Sequence, residues 1–167
     1  MAVVYRGMNE EQGTGKPVLS VPPGSRSLAL MARVRLQGDT SKRRADIEAN
    51  ADGMVEPETG GMSVNTTLVD IPHFFVPARL KGVPPLRNGT AGDDCRIWSH
   101  RVAEVPGVSS ASTFAGRLSL RMGPGNHGLV EPSEAMHHAA YSAAIAATRP
   151  NWRLDEPSVP TKPEVTP

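Results

Sequence analysis

Three short segments hold side chains whose types and spacing suit chemistry on a phosphorylated sugar. The first is Tyr5-Arg6-Gly7, at the end of a β-prone run that begins at Val3. An inward-pointing arginine next to a glycine sets a fixed cation beside accessible main chain, which suits a phosphate or a ribose. A surface ion pair is the ordinary alternative and, from these residues alone, the favoured one. The second is Pro57-Glu58-Thr59-Gly60-Gly61-Met62-Ser63-Val64. Its two glycines permit a tight turn and the close approach of a ligand, and Ser63, at the head of a strand, can both donate and accept. A plain hairpin turn is the alternative. The third is His127-Gly128-Leu129-Val130-Glu131-Pro132. On a strand His127, Leu129 and Glu131 share one face, so an imidazole and a carboxylate could hold a sugar hydroxyl and stabilise nearby positive charge. A half-exposed strand with a polar outer face explains the segment about as well.

Other motifs are missing. There is no phosphate-binding P-loop, no dinucleotide GxGxxG and no zinc-ligand spacing. His137 and His138 are adjacent on an expected helix and point about 100° apart, a poor arrangement for sharing one metal, so no metal is expected. Cys95 is the one cysteine; it excludes an internal disulfide framework and reads as a small buried apolar side chain. A formal net charge of +1 gives no electrostatic reason for binding nucleic acid or a membrane. No apolar run reaches the ~18 residues that a spanning helix needs. Met1 to Met8 lack the basic and apolar regions of a secretory signal. The expectation is a cytoplasmic, monomeric protein that, if it leaves the cell, does so by a route that reads no signal peptide.

The elements that must position these segments follow from patterning. A chain of 167 residues suits one domain. Aromatics are only 4%, so the core must rest on Val, Leu, Ile, Ala and Met. The 16 glycines and 16 prolines imply short strands, many turns and few helices. The first strand, Val3 to Arg6, alternates Val3 and Tyr5 with Val4 and Arg6. A loop runs from about Gln12 to Ser25. Leu28 to Leu36 is apolar at every even position and predicts a strand, although 28–33 alone also suits a helix. Residues 40–50 read as a short solvated helix or a loop, whose Lys42-Arg43-Arg44 could touch a phosphate but reads first as a solvated face. Met54-Val55, a Gly-Gly turn and Met62 to Val64 follow the order of a strand, a turn and a strand. Arg96 to Val102, Leu118 to Met122 and His127 to Glu131 are further strands. The alanine-rich run predicts a helix over Glu134–Thr148, capped by Ser133 and stopped by Pro150. Its apolar stripe is Met136, Ala140, Ala143 and Ala147, widened by Tyr141 and Ile145. Beyond Trp152 the composition turns to Pro, Ser, Thr and charge, so residues 1–152 form the expected domain and 153–167 a disordered tail, dispensable from about Leu154. The class is α+β with a mostly antiparallel core.

With those pieces in place, the chain resembles type VI secretion effector toxins whose fold is that of ADP-ribosyltransferases. The resemblance rests on Tyr5-Arg6, on Ala45-Asp46-Ile47 before Gly53, on Pro57-Glu58-Thr59-Gly60-Gly61-Met62-Ser63-Val64, and on His127, Val130, Pro132 and Met136 in that order. It covers about Val3 to Trp152, most specifically at Thr-Gly-Gly-Met-Ser-Val and only loosely over Thr66 to Asn126. It implies two small sheets enclosing an NAD cleft, with NAD as substrate and no metal. By the same resemblance Arg6 grips ribose or phosphate, the Gly7 backbone binds the nicotinamide amide, and Ser63 braces the site. Tyr5, Gly61 and Met62 line the cofactor, and His127 and Glu131 compete for the third catalytic role.

Two functions follow from the resemblance. One is an NAD-consuming toxin, an ADP-ribosyltransferase or NAD glycohydrolase that acts in the cytosol of a target cell and is neutralised by a cognate immunity protein. The other is a non-catalytic relative that keeps the fold and binds a ligand or partner. The scarcity of aromatic rings argues slightly for the second, since nicotinamide stacks well on a ring. Tyr5, Phe74, Phe75, Trp98, Phe114 and Tyr141 are the candidates.

Overall fold

The computed structural model describes residues 2–21, 28–102 and 111–159. Its architecture is α+β, with mostly antiparallel strands and a single α-helix among the described residues. The first strand, β1 (Ala2–Glu11), pairs antiparallel along nearly its whole length with β7 (Cys95–Val102), from Ala2↔Val102 to Asn9↔Cys95. The alternation expected for Val3 to Arg6 holds: Val4, Arg6 and Met8 are buried on one face, while Val3 and Tyr5 are half-buried on the other.

On the other side of β1 lies β6 (Met62–Asn65), followed by β10 (His127–Pro132), β9 (Leu118–Met122) and the edge strand β8 (Ala111–Ala115). Two-residue strands complete this sheet: β2 (Lys16–Pro17) against the end of β1, and β12 (Arg153–Leu154) on the outer edge of β7. The two small sheets implied by the resemblance are instead halves of one sheet. β1 and β6 pair at one register position, Tyr5↔Asn65, and the ladder does not continue beyond it.

One face of the sheet packs Val4, Met8, Met62, Val64, Trp98 and Val130 against Tyr141, Ile145 and Trp152. The opposite face is covered by three 3₁₀ turns, Leu68–Asp70, His73–Phe75 and Ala78–Leu80. They bury Ile71, Val76 and Leu80 with Ile97 and bring Tyr5 and Phe75 against them. Two modest clusters on opposite sheet faces are how a chain with so few aromatics builds a core.

Several expected elements take a different form. Leu28 to Leu36 is not one strand: only β3 (Val34–Arg35) is extended, and it pairs in parallel with β4 (Ile47–Glu48). The residues before it are fastened one at a time, by Asn9 N–H to the Leu28 carbonyl and Leu30 N–H to the Val18 carbonyl, so burial without a ladder produces the apolar pattern. Residues 40–50 form no helix, because their end joins β4. Met54 to Val64 is not a hairpin. β5 (Met54–Val55) pairs with β11 (Met136–His137), while β6 pairs with β10 and β1.

The helix α1 (His138–Ala147) starts four residues later than expected, since Met136 and His137 are committed to β5. His137, not Ser133, is the cap; its Nδ1 accepts the Ala139 N–H, and the Ser133 hydroxyl donates to the Arg117 carbonyl instead. The buried face turns accordingly. Tyr141 and Ile145 point inward with Ala140 and Ala144 half-buried beside them, whereas Ala143 and Ala147 are exposed. Bulk, rather than the alanine count, sets which side faces the sheet.

The expected tail boundary also moves. Arg153 and Leu154 pair with Ser99 and Trp98. Asp155 N–H donates to the Ile97 carbonyl, Glu156 accepts the Ile97 N–H, and its carboxylate pairs with Arg79. Residues 153–156 therefore belong to the domain; Pro160, Pro163 and Pro167 lie outside the described residues. Truncation after Trp152 removes these bonds and is expected to lower the melting temperature by several degrees, given roughly 2–4 °C per kcal/mol at this size. Thermal denaturation of the shortened chain checks it.

Another expectation comes from His100. Its ring stacks on Phe114 at 4.3 Å and meets Trp152 edge-on at 5.2 Å, and its Nδ1 lies 2.7 Å from the Arg101 carbonyl. Burial pulls this imidazole below its ordinary pKa, against the opposing effect of the Arg101 bond. The unfolded chain then binds the proton more readily, so stability is full above the ordinary histidine pKa and falls as the pH drops. Denaturation midpoints should fall between pH 7 and pH 5, and His100→Leu should make that decline shallower.

Candidate active site

The site lies where β1 and β6 part. On β1, the even residues point their main-chain groups toward β7 and the odd ones away. Glu10 N–H reaches Asp94, whereas Asn9 N–H reaches Leu28 and Tyr5 meets Asn65. In a continuous ladder the next pair would be Gly7 with Ser63, and the Ser63 carbonyl would accept the Gly7 N–H. The Arg6 side chain takes that carbonyl instead. Its Nη1 lies 2.5 Å from the Ser63 oxygen, and Nη2 donates to the Ala29 carbonyl at 3.3 Å. The guanidinium also lies 5.5 Å from the centre of the Phe75 ring, within the range of a cation–π contact. Burial lowers its pKa to about 10, against the opposing pull of Asp46 and Tyr141, so Arg6 stays cationic at neutral pH.

Beside this junction is a pocket of about 360 Å³. β6 contributes Ser63 and Asn65, and β10 contributes His127. Pro72, Phe74 and Phe75 come from the 3₁₀ turn on the second face, and Arg33, Arg44 and Asp46 from the segments around β3 and β4. The antiparallel register sets His127 opposite Asn65 and Leu129 opposite Ser63, making Ser63 and His127 diagonal neighbours on one face. His127 Nε2 lies 3.2 Å from Ser63 Oγ. Burial, and secondarily the charge of Arg44, push the His127 imidazole below its ordinary pKa. Near neutral pH the ring is uncharged, and its tautomer sets which partner donates.

Asp46 is held firmly. Its Oδ2 accepts the Arg33 N–H at 2.8 Å, its own N–H donates to the Arg33 carbonyl, and its carbonyl accepts the Gly61 N–H at 2.8 Å. The glycine pair makes this possible. A Cβ on Gly60, whose φ is +146°, would sit 2.2 Å from the Asp46 oxygen, and one on Gly61 would sit 2.4 Å from the Val130 oxygen. The two glycines therefore admit neighbouring main chain, on one side from Asp46 and on the other from β10. The close approach read from the sequence is real, but its partners are backbone.

Of the residues singled out by sequence, Ser63 and His127 meet in the pocket. Arg6 lies under it as a buried tie and is not part of its lining. Gly7 is just behind: a Cβ there would strike the Phe75 carbonyl at 1.9 Å, and its main-chain groups turn away from β7, toward the gap between β1 and β6. Tyr5 packs toward the second core cluster. Met62 is wholly buried in the main core, and Gly61 is covered by Val130. Glu131 shares the His127 face but lies outside the pocket. It is buried, accepts the Glu58 N–H at 3.0 Å and pairs with Arg121 at 2.9 Å. His137 and His138 pack ring to ring, and among the described residues no group of three or more His, Cys, Asp or Glu could hold a metal.

Besides Pro72, the pocket residues not assigned a role from sequence are Arg33, Arg44, Asp46, Asn65, Phe74 and Phe75. Some left a trace: the basic triplet ends at Arg44, Asp46 stands in one of the matched motifs, and Phe74 and Phe75 were among the few available rings. No family model matches the chain, and no curated protein matches it.

Arg6→Ala is expected to destabilise the fold by about 3 kcal/mol, because it leaves the Ser63 and Ala29 carbonyls without their donor and opens a void beneath the pocket. Arg6→Lys should recover only part of this, since one ammonium cannot reproduce the planar fork. Urea denaturation of the two variants measures both effects.

Proposed function

We propose that the pocket binds NAD and that the protein cleaves its nicotinamide–ribose bond, as an ADP-ribosyltransferase or NAD glycohydrolase acting as a toxin in a target cell. The reading rests chiefly on Ser63 and His127, 64 residues apart in sequence, meeting at 3.2 Å in one pocket beside the parted strands. Other features support it. Phe74 and Phe75 offer rings for a flat heterocycle. Arg33 and Arg44 suit phosphate oxygens. A volume near 360 Å³ lies within the range of small-molecule sites and suits the nicotinamide ribose half, with the diphosphate passing toward the arginines.

One observation favours a second reading, a ligand-binding relative without catalysis. Glu131, the carboxylate that the resemblance would put to work, is engaged by Arg121 and the Glu58 N–H away from the pocket. Titration calorimetry with NAD and an assay of released nicotinamide separate the two. The expected result is NAD binding with slow nicotinamide release. Ser63→Ala and His127→Ala should each lower turnover about ten- to a hundredfold. NAD that fails to bind at millimolar concentration overturns both readings for this ligand.

A further inference from the structure

Cleaving the nicotinamide–ribose bond sends the bonding electron pair to the ring nitrogen, so nicotinamide leaves as a neutral molecule. The ribose carbon is left as an oxocarbenium cation. Water then adds to that carbon and loses a proton to solvent, giving ADP-ribose. A fixed negative charge close to the cation stabilises this transition state far more in a partly enclosed site than in open water. Glu131 is not available for that task. The lining of the pocket contains one carboxylate among the described residues, that of Asp46.

Resting on the NAD reading above, we infer that Asp46 is the catalytic carboxylate of this site. Three features equip it. It shares the pocket wall with Ser63 and His127. Its main chain is anchored on both sides, to Arg33 and to Gly61, so the carboxylate needs little reorganisation as charge develops. One oxygen, Oδ2, is aimed by the Arg33 N–H, which orients the group in a site also lined by His127 and the phenylalanines. The glycine pair gains a functional reason as well: Gly60 leaves room for the Asp46 carbonyl and the Gly61 N–H binds it, which brings Asp46 beside the start of β6 and into the same pocket lining as Ser63. His127, uncharged near neutral pH, is then suited to hold a ribose hydroxyl or guide the proton lost by water, while Asp46 bears the charge.

The test compares wild type, Asp46→Asn and Glu131→Gln for nicotinamide release, NAD affinity and melting temperature. Asparagine keeps an oxygen acceptor for the Arg33 N–H, so the fold and the pocket shape should survive the change. The inference expects Asp46→Asn to lower kcat by about a hundredfold or more, with NAD affinity within about threefold of wild type and at most a small loss of melting temperature, from the charge that faces buried Arg6. Glu131→Gln, assayed where it is folded, should retain turnover within about threefold. Wild-type turnover in Asp46→Asn overturns the inference and leaves the NAD reading standing. So does loss of turnover confined to Glu131→Gln. So does a parallel fall in affinity and melting temperature for Asp46→Asn, which would make Asp46 a structural residue. A wild-type protein that binds NAD without releasing nicotinamide overturns catalysis by Asp46 but not the site, whereas one that binds no NAD overturns the reading on which the inference rests.

Discussion

The arrangement depends on one hydrogen bond, from the Arg6 guanidinium to the Ser63 carbonyl. In a regular antiparallel sheet that carbonyl would belong to Gly7, and β1 and β6 would lie side by side along their length. Putting a buried side chain there keeps the carbonyl satisfied while the strands part. The cost is a desolvated cation, and the fold offsets it with a second carbonyl at Ala29, the face of Phe75 and the nearby negative charge of Asp46. Main-chain polar groups must find partners when buried, so a sheet can open in its middle only where such a substitute exists.

The same logic explains the rest of the junction. The Tyr141 hydroxyl stands between two strands, donating to the Val130 carbonyl at 2.6 Å and accepting from the Met62 N–H at 3.2 Å. Its burial and that of Arg6 place both long polar side chains where a ladder is imperfect. Burial pushes the Tyr141 phenol above its ordinary pKa, keeping it protonated and able to donate. Around these two wedges, Gly60 and Gly61 admit the backbones of Asp46 and Val130, so the walls of the pocket are set by main-chain contacts. Pockets built this way hold their shape better than pockets lined by loops alone.

Two of the pocket residues were legible in the sequence. Ser63 and His127 each offered hydroxyl or imidazole chemistry on a strand, and they do come together. Glu131 shows where such reading stops. Alternation put it correctly on the His127 face, but nothing in the sequence reveals that Arg121, one strand over, and the Glu58 N–H would claim its carboxylate. Arg33, Arg44 and Asp46 were hidden for another reason. Arg33 was read as the outward side of a strand, and Arg44 and Asp46 come from a polar stretch that looks like a solvated loop; they face a pocket because β3 and β4 pair in parallel and Gly60 leaves room for the Asp46 main chain.

By itself, the sequence determined the local properties: the alternation of β1, β7, β9 and β10, the alanine-rich helical run, the shortage of aromatic bulk and the turn-forming glycines. These depend on neighbours a few residues away, which a periodicity of two or of 3.6 encodes directly. Tertiary structure decided the pairings. It gave Met136 and His137 to β5 and so delayed the helix, placed residues 153–156 on the edge of β7, and turned the Thr59-Gly60-Gly61 segment from a hairpin into a crossing of backbones. Each of those outcomes depends on which distant strand supplies a hydrogen-bond partner, and every residue except proline carries the same N–H and C=O whatever its side chain. Partner choice is therefore settled by the packing of the whole chain, and the pocket is a consequence of that choice.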